Sequence, residues 1–186
     1  AEDGIPDESL RLVGSEMCIR DRMLTLARLD PAATTLVREK VNLHELAAEV
    51  VAQLVPIALK KNIEIEISGE EDVVVLVEPV SVSILIRNLV DNAIRYTPVQ
   101  GIVELSITQQ SNHQVILAVK DSGPGIAPEL QGRVFDRFFR VTGNSSPGCG
   151  LGLSIVQRVA DLNNLMVDLQ NKENAPGLIA SVYFSA

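Results

Sequence analysis

The sequence predicts an α/β (α+β) fold: a two-layer sandwich in which a mixed sheet of about five strands packs against about three helices, with a short helical remnant at the N-terminus. Three observations lead there. Strand-like and helix-like segments are interleaved from end to end. Two apolar runs, "IVELSITQQ" and "QVILAVK", flank the polar "SNH" as a β-hairpin, which argues against a doubly wound parallel sheet. The segment "IEIEIS" alternates strictly, as a strand does when one face stays wet.

Each element follows from local chemistry. Residues 1–22, "AEDGIPDESLRLVGSEMCIRDR", keep no clean period and read as a flexible leader. The piece "VGSEMCIRDR" resembles translated sequencing adapter, which would make it spurious. "MLTLARLDP" is the end of a helix, with Met23, Leu24, Leu26, Ala27 and Leu29 as its apolar surface and Pro31 as its stop. In "NLHELAAEVVAQLVPIALKKN", Asn42 is the N-cap with Glu45 as capping-box partner, and Leu43, Leu46, Ala47, Val50, Val51 and Leu54 follow at helical spacing. "IEIEIS" and the buried run "VVVLV" are strands. A helix starts after Glu78-Pro79, where the missing proline N–H costs little. The hairpin comes next, then a helical piece near 128–136, the loop "VTGNSSPGCG", the helix "LGLSIVQRVADLNN" and two closing strands, "LMVDLQ" and "LIASVYF". No repeat or low-complexity tract interrupts this order.

Bulk composition narrows the function. A chain of 186 residues that is 46% hydrophobic suits one globular domain plus a short extension. A net charge of −8 and a pI near 4.8 argue against a nucleic-acid partner, since phosphate binders carry a basic face. The content of 3% aromatic residues and no tryptophan also argues against a base-stacking platform. Cys18 and Cys149 are too few and too far apart for a disulfide framework or a zinc site, and a reducing compartment fits. The longest apolar stretch, broken by Glu49 and Pro56, is too short to span a bilayer, and no basic start leads into an uninterrupted apolar run as a signal peptide would. The chain reads as soluble, and it could be cut from a longer membrane protein.

Three stretches carry chemistry. In "ILIRNLVDNAIRY", Asn88 and Asn92 are four apart and share a face, with Arg95 and Tyr96 one turn further along. Val82, Ile86, Leu89, Val90, Ala93 and Ile94 fall on the opposite face. Asparagine is a middling helix former, so the pair is either solvated surface or a source of hard oxygen ligands for Mg²⁺, which takes few protein groups and keeps substrate phosphates. "DSGPGI", Asp121 to Ile126, is either a tight turn or a carboxylate acceptor for an exocyclic amine such as adenine's, with Gly123 and Gly125 permitting close approach. In "GCGLGLSIV", Gly148, Gly150 and Gly152 precede a helix whose N-terminal amides offer an anion site, a pattern that also marks many turns. Neither the P-loop nor the dinucleotide fingerprint is present.

In order, "NLVDNAIRYTP", "DSGPGI", "FDRFFR" and "GCGLGL" resemble the N box, first glycine box, F box and second glycine box of the ATP-binding domain of sensor histidine kinases. That superfamily also includes DNA gyrase, mismatch-repair ATPases and a heat-shock chaperone. The resemblance covers residues 23–186. It divides the chain into the leader at 1–22, the end of a dimerisation and phosphoacceptor hairpin at 23–31, and the ATP-binding domain at 32–186. It implies ATP and Mg²⁺ as cofactors, with Asn92 as metal ligand and Asn88 in support. Asp121 would bond the adenine amine, Gly123, Gly125 and Ile126 would border the ring, and Tyr96 would pack beside it. Arg95, Arg137 and Arg140 would meet phosphate charge, and Asn88, Arg137 and Arg140 are the implied catalytic groups. Gly148, Gly150, Leu151 and Gly152 would hinge the lid "ELQGRVFDRFFRVTGNSSPGCG". Phe135, Phe138 and Phe139, at helical spacing, read as core anchors.

The sequence also departs from the family pattern. The hairpin helix with a His-Glu pair is missing; His44 precedes Glu45 but falls in the domain's own first helix, and His44 and His113 both read as surface residues. The implied activity is therefore transfer of the ATP γ-phosphoryl to a histidine on a hairpin missing from the chain, for relay to an aspartate of a response regulator. The parent is implied to be a homodimer at the inner membrane, and this segment its cytoplasmic portion without direct membrane contact. An anti-sigma-type serine kinase and a non-catalytic nucleotide-binding module are the alternatives. "LNN", Leu162 to Asn164, stands where the family commonly shows His-Gly-Gly; asparagine tolerates left-handed backbone angles, so the turn should survive.

Overall fold

The computed structural model describes residues 37–111, 114–140 and 149–184. The leader, the hairpin remnant, His113 and Gly148 lie outside the described residues. In chain order the elements are β1 (Glu39–Asn42), α1 (Leu43–Leu59), β2 (Glu64–Gly69), β3 (Val74–Val77), α2 (Pro79–Tyr96), β4 (Ile102–Gln109), β5 (Val115–Asp121), α3 (Pro128–Gln131), α4 (Gly152–Asn163), β6 (Met166–Asn171) and β7 (Leu178–Phe184).

The main sheet has five strands in the order β2-β4-β5-β7-β6. Strand β2 runs parallel to β4, and the other pairs are antiparallel. This is the expected mixed sheet, with α1, α2 and α4 as the helical layer and α2 in contact with both other helices and with β4 and β5. Val103, Leu105, Ile107, Leu117 and Val182 point into that layer and are fully buried. The expected strand "VVVLV" forms, but it pairs with β1 in a separate two-stranded ribbon instead of joining the main sheet.

Polar side chains fix the helix ends. Asn42 caps α1 by accepting the Glu45 N–H at 3.1 Å, while its amide donates to the Glu71 carbonyl at 2.9 Å. The Glu78 carboxylate caps α2, accepting from Val80 and Ser81 N–H at 3.1 and 2.6 Å ahead of Pro79. At the other end of α2 the Lys61 ammonium donates to the carbonyls of Ile94, Arg95 and Thr97 at 2.8, 2.9 and 2.6 Å. Those are orphan acceptors at the negative end of the helix. Burial and, second, the Arg95 guanidinium lower the pKa of that ammonium. Helix α4 ends on Asn164 in the left-handed region, at φ 56° and ψ 42°, so the substituted turn survives as expected.

Two readings need correction. The helix expected over 128–136 stops at Gln131, where Gly132 follows, and the chain then runs in turns. The phenylalanines therefore do not share one buried face. Phe135 and Phe139 pack on the core, but Phe138 is 55% exposed and adopts φ 65°. Its N–H bonds to the Gly150 carbonyl at 2.8 Å and not to a helical acceptor. Among the described residues, no helix is long and apolar enough to cross a membrane.

Candidate functional site

A cavity of about 480 Å³ opens between the sheet and α2. Leu89, Asn92, Ala93 and Tyr96 of α2 form one wall, and Asp121 with Pro124 to Ala127 forms another. Phe139 and Arg140 border it, and Leu169, Leu178 and Ala180 close it from the sheet. The hairpin register sets this up: Val103 pairs with Asp121 and Gln109 with Val115, so Asp121 lies at the end of β5 remote from the hairpin turn.

Asp121 is 6% exposed. Its Oδ1 accepts from the Gly123 N–H at 2.7 Å and the Leu178 N–H at 3.3 Å. Both bonds fall on one oxygen, which leaves Oδ2 as the acceptor not engaged by the backbone. Burial raises the carboxyl's pKa, and the two backbone donors and the Lys172 charge oppose that rise. The site thus holds a desolvated acceptor beside apolar walls, an arrangement suited to a flat heterocycle with an amino donor.

The glycines after Asp121 have steric reasons. A Cβ on Gly123 would come within 2.9 Å of both Asp121 Oδ1 and the Tyr96 carbonyl oxygen. Gly125 sits at φ 73°, where a Cβ would lie 2.6 Å from Asn171 Oδ1. Ile126, which lines the cavity, is tied by its own N–H and carbonyl to the Asn171 amide, at 2.8 and 2.7 Å.

Helix α2 separates the residues that the sequence grouped together. Asn92 and Tyr96 line the cavity, and Tyr96 is too exposed to be a core residue. Asn88 does not line it; it is buried, and its amide donates back to the Ile84 carbonyl at 2.7 Å. The apolar residues are not confined to the opposite face, because Leu89 and Ala93 also border the cavity. Arg95 pairs with Asp91 at 3.0 Å and lies outside the cavity lining. Of the other two arginines, Arg140 borders the cavity, and Arg137 is exposed and does not.

Past α3, Arg133 stacks over the Phe139 ring at 4.8 Å from its centroid. Gly150, at φ 66°, passes so close to Phe138 that a Cβ would lie 2.7 Å from the Phe138 carbonyl carbon. Leu151 is the N-cap residue of α4, with no side chain capping it, and Gly152 is the first helical residue. The N-terminal amides of α4 therefore remain available to an anion.

Among the described residues, no group of three or more His, Cys, Asp or Glu side chains could hold a metal ion. Asn92, at the cavity wall, carries an amide oxygen, a hard donor. It suits a small divalent cation that arrives on phosphates and takes one protein ligand. Sequence reasoning missed Asn171, Gly177 and Leu178, which hold the glycine loop and Asp121 from the β6–β7 turn. Their only local signal is the turn-forming "NAPG" beside "QNK", which does not say what the turn touches.

Comparisons with known proteins identify the family. Residues 77–184 match the family described as histidine kinase-, DNA gyrase B-, and HSP90-like ATPase. The chain is 37% identical over 166 residues to the sensor protein QseC of Salmonella typhi, covering 89% of this chain and 34% of that one. It is 38% identical over 166 residues to the sensor protein kinase PmrB of Pseudomonas aeruginosa, with the same coverage. The chain thus spans about a third of the length of these relatives. Among solved structures, a mycobacterial sensor histidine kinase MprB superposes with a TM-score of 0.72 at 28% identity, over 80% of this chain and 97% of that one. Full-length ShkA in complex with AMPPNP gives 0.78 at 27% identity, over 95% of this chain and 37% of that one.

Proposed function

Because the chain belongs to the histidine kinase-, DNA gyrase B- and HSP90-like ATPase family, we propose that it is the ATP-binding catalytic domain of a two-component sensor histidine kinase. The observation that carries this reading is the buried Asp121, held by two backbone donors with its second oxygen uncommitted in an apolar cavity that also contains Asn92. ATP is the substrate that satisfies both ends. Its adenine amine meets Asp121, the ring lies between the α2 wall and the loop at Gly125 and Ile126, and the phosphates run toward Asn92, Arg140 and the start of α4.

Magnesium bound with the nucleotide supplies charge neutralisation at the phosphates. Asn92 would hold it. Asn88, turned onto its own helix, supports Asn92 through the backbone and not as a second ligand. Arg140 meets developing charge on the γ-phosphoryl, and Gly150, Leu151 and Gly152 form the hinge next to the phosphates. Catalysis of this kind is positioning and electrostatics, with little covalent work for the protein. The acceptor is a histidine on a hairpin domain, and the phosphoryl passes on to an aspartate of a response regulator. The parent protein would be a homodimeric inner-membrane sensor with this segment in the cytoplasm.

The test supplies the hairpin separately. Incubating this chain with γ-labelled ATP, Mg²⁺ and a purified hairpin domain should give acid-labile, base-stable phosphohistidine. Nucleotide binding without transfer would leave the non-catalytic module, and an acid-stable phosphoserine product would point to the serine-kinase branch.

A further inference from the structure

We propose that Asn171 is a positioning residue for the nucleotide: its side-chain amide grips the backbone of Ile126 and holds the loop between β5 and α3 in its ligand-accepting shape. The inference rests on reading the cavity as a nucleotide site.

The contact is two-point. Ile126 N–H donates to Asn171 Oδ1 at 2.8 Å, and Asn171 Nδ2 donates to the Ile126 carbonyl at 2.7 Å. One asparagine side chain thus imitates a rung of a β-ladder for a residue that belongs to no strand. Asn171 is the last residue of β6, so the loop is fastened to an element fixed in the main sheet. The glycine preceding Ile126 fits the same purpose: a Cβ on Gly125 would strike Asn171 Oδ1 at 2.6 Å. Gly125 is therefore required by the approach of Asn171. Gly125, Ile126 and Ala127 line the cavity, and Asn171 does not. It acts through the loop. A loop ordered before binding need not be ordered by the ligand, and that difference appears in affinity.

The side chain is exposed at the end of a strand, so its removal should leave the fold intact. In Asn171→Ala, hydrogen exchange of the Ile126 amide accelerates, while the Leu117 and Val119 amides of β5 keep their protection. Affinity for ADP and for ATP falls by about tenfold, and by the same factor for both, because the clamp acts at the base end. The isosteric Asn171→Asp keeps the acceptor but sets an oxygen against the Ile126 carbonyl, and it should show the same loss. The melting temperature without nucleotide stays within about 2 °C of the wild type. ADP affinity within twofold of wild type in both variants overturns the proposal. So does a fall in melting temperature large enough to account for the lost binding, which would assign Asn171 to the fold alone. Failure of the wild-type chain to bind ADP overturns the nucleotide reading as well.

Discussion

Asp121 sets two demands against each other. Its carboxylate must accept a hydrogen bond in a desolvated place, and burial makes its charged form costly there. A carboxyl whose folded pKa lies above its unfolded value favours the fold most at low pH, and that contribution is lost as pH rises through the folded value. Near neutral pH Asp121 therefore weakens the free protein. Asp121→Asn keeps an Oδ1 acceptor for the Gly123 and Leu178 N–H groups and removes the charge. Its melting temperature without nucleotide should rise at pH 7–8, while affinity for ADP drops roughly 10–100-fold because Nδ2 now faces the adenine amine. Titration calorimetry from neutral to acidic pH supplies the companion check. Wild-type affinity should decline at a higher pH than an ordinary carboxylate would produce, and the weak binding of Asp121→Asn should stay level. At this scale Asp121, Asn92, Tyr96, Gly125 and Ile126, singled out in the sequence, all line the cavity, because a strand end, one helix face and a two-glycine turn place them locally. The sequence misplaced Asn88 and Arg95, since each has an intrahelical partner, Ile84 and Asp91, that competes with the cavity. It could not find Asn171, whose partner is 45 residues away in the chain.

Among the elements, α2 bears on the site most, and its two ends are held by residues outside it. At its start Asn163, 5% exposed, accepts from the Glu78 N–H at 3.2 Å and donates to Ser81 Oγ at 2.9 Å and the Val159 carbonyl at 3.0 Å. This couples the C-terminus of α4 to the N-terminus of α2. Asn163→Ala strands buried polar groups on both helices and should cost about 2–3 kcal/mol in urea unfolding. At the far end, Lys61→Met removes three donors from the last turn of α2. An expected loss of about 1–2 kcal/mol follows from partly exposed charge-assisted bonds. Because Tyr96 sits on that turn, nucleotide affinity should fall as well, which fluorescence titration with an ATP analogue checks. The helices, the β4–β5 hairpin and the closing strands were legible because their apolar periods run long. Strand β1 was not: four residues, "EKVN", show no period, and its pairing with β3 is made across α1 and β2. The F-box segment misled for the opposite reason, since its phenylalanines keep helical spacing in a stretch that turns at Gly132 and again at Phe138.

For the molecule as a whole, the cavity is where separate parts of the fold meet. Helix α2, the end of β5, the segment at Phe139 and Arg140, and strands β6 and β7 all contribute to it. A ligand seated there contacts elements that otherwise communicate through the core, and the unfolded chain has no such site. Binding only to the folded state adds RT ln(1 + [L]/Kd), about 2.7 kcal/mol at a hundredfold excess over Kd. For a domain of this size each kcal/mol moves the midpoint by about 2–4 °C, so saturating Mg-ADP should raise the melting temperature by roughly 5–11 °C. Chelating the metal should remove part of that shift and leave the part due to the base, because Asp121 and the loop at Gly125 and Ile126 need no cation. Asn92→Ala should reproduce the effect of the chelator and become insensitive to it. A full shift that survives both chelation and Asn92→Ala would mean that the charge on the phosphates is met elsewhere, by Arg140 and the amides of α4 alone.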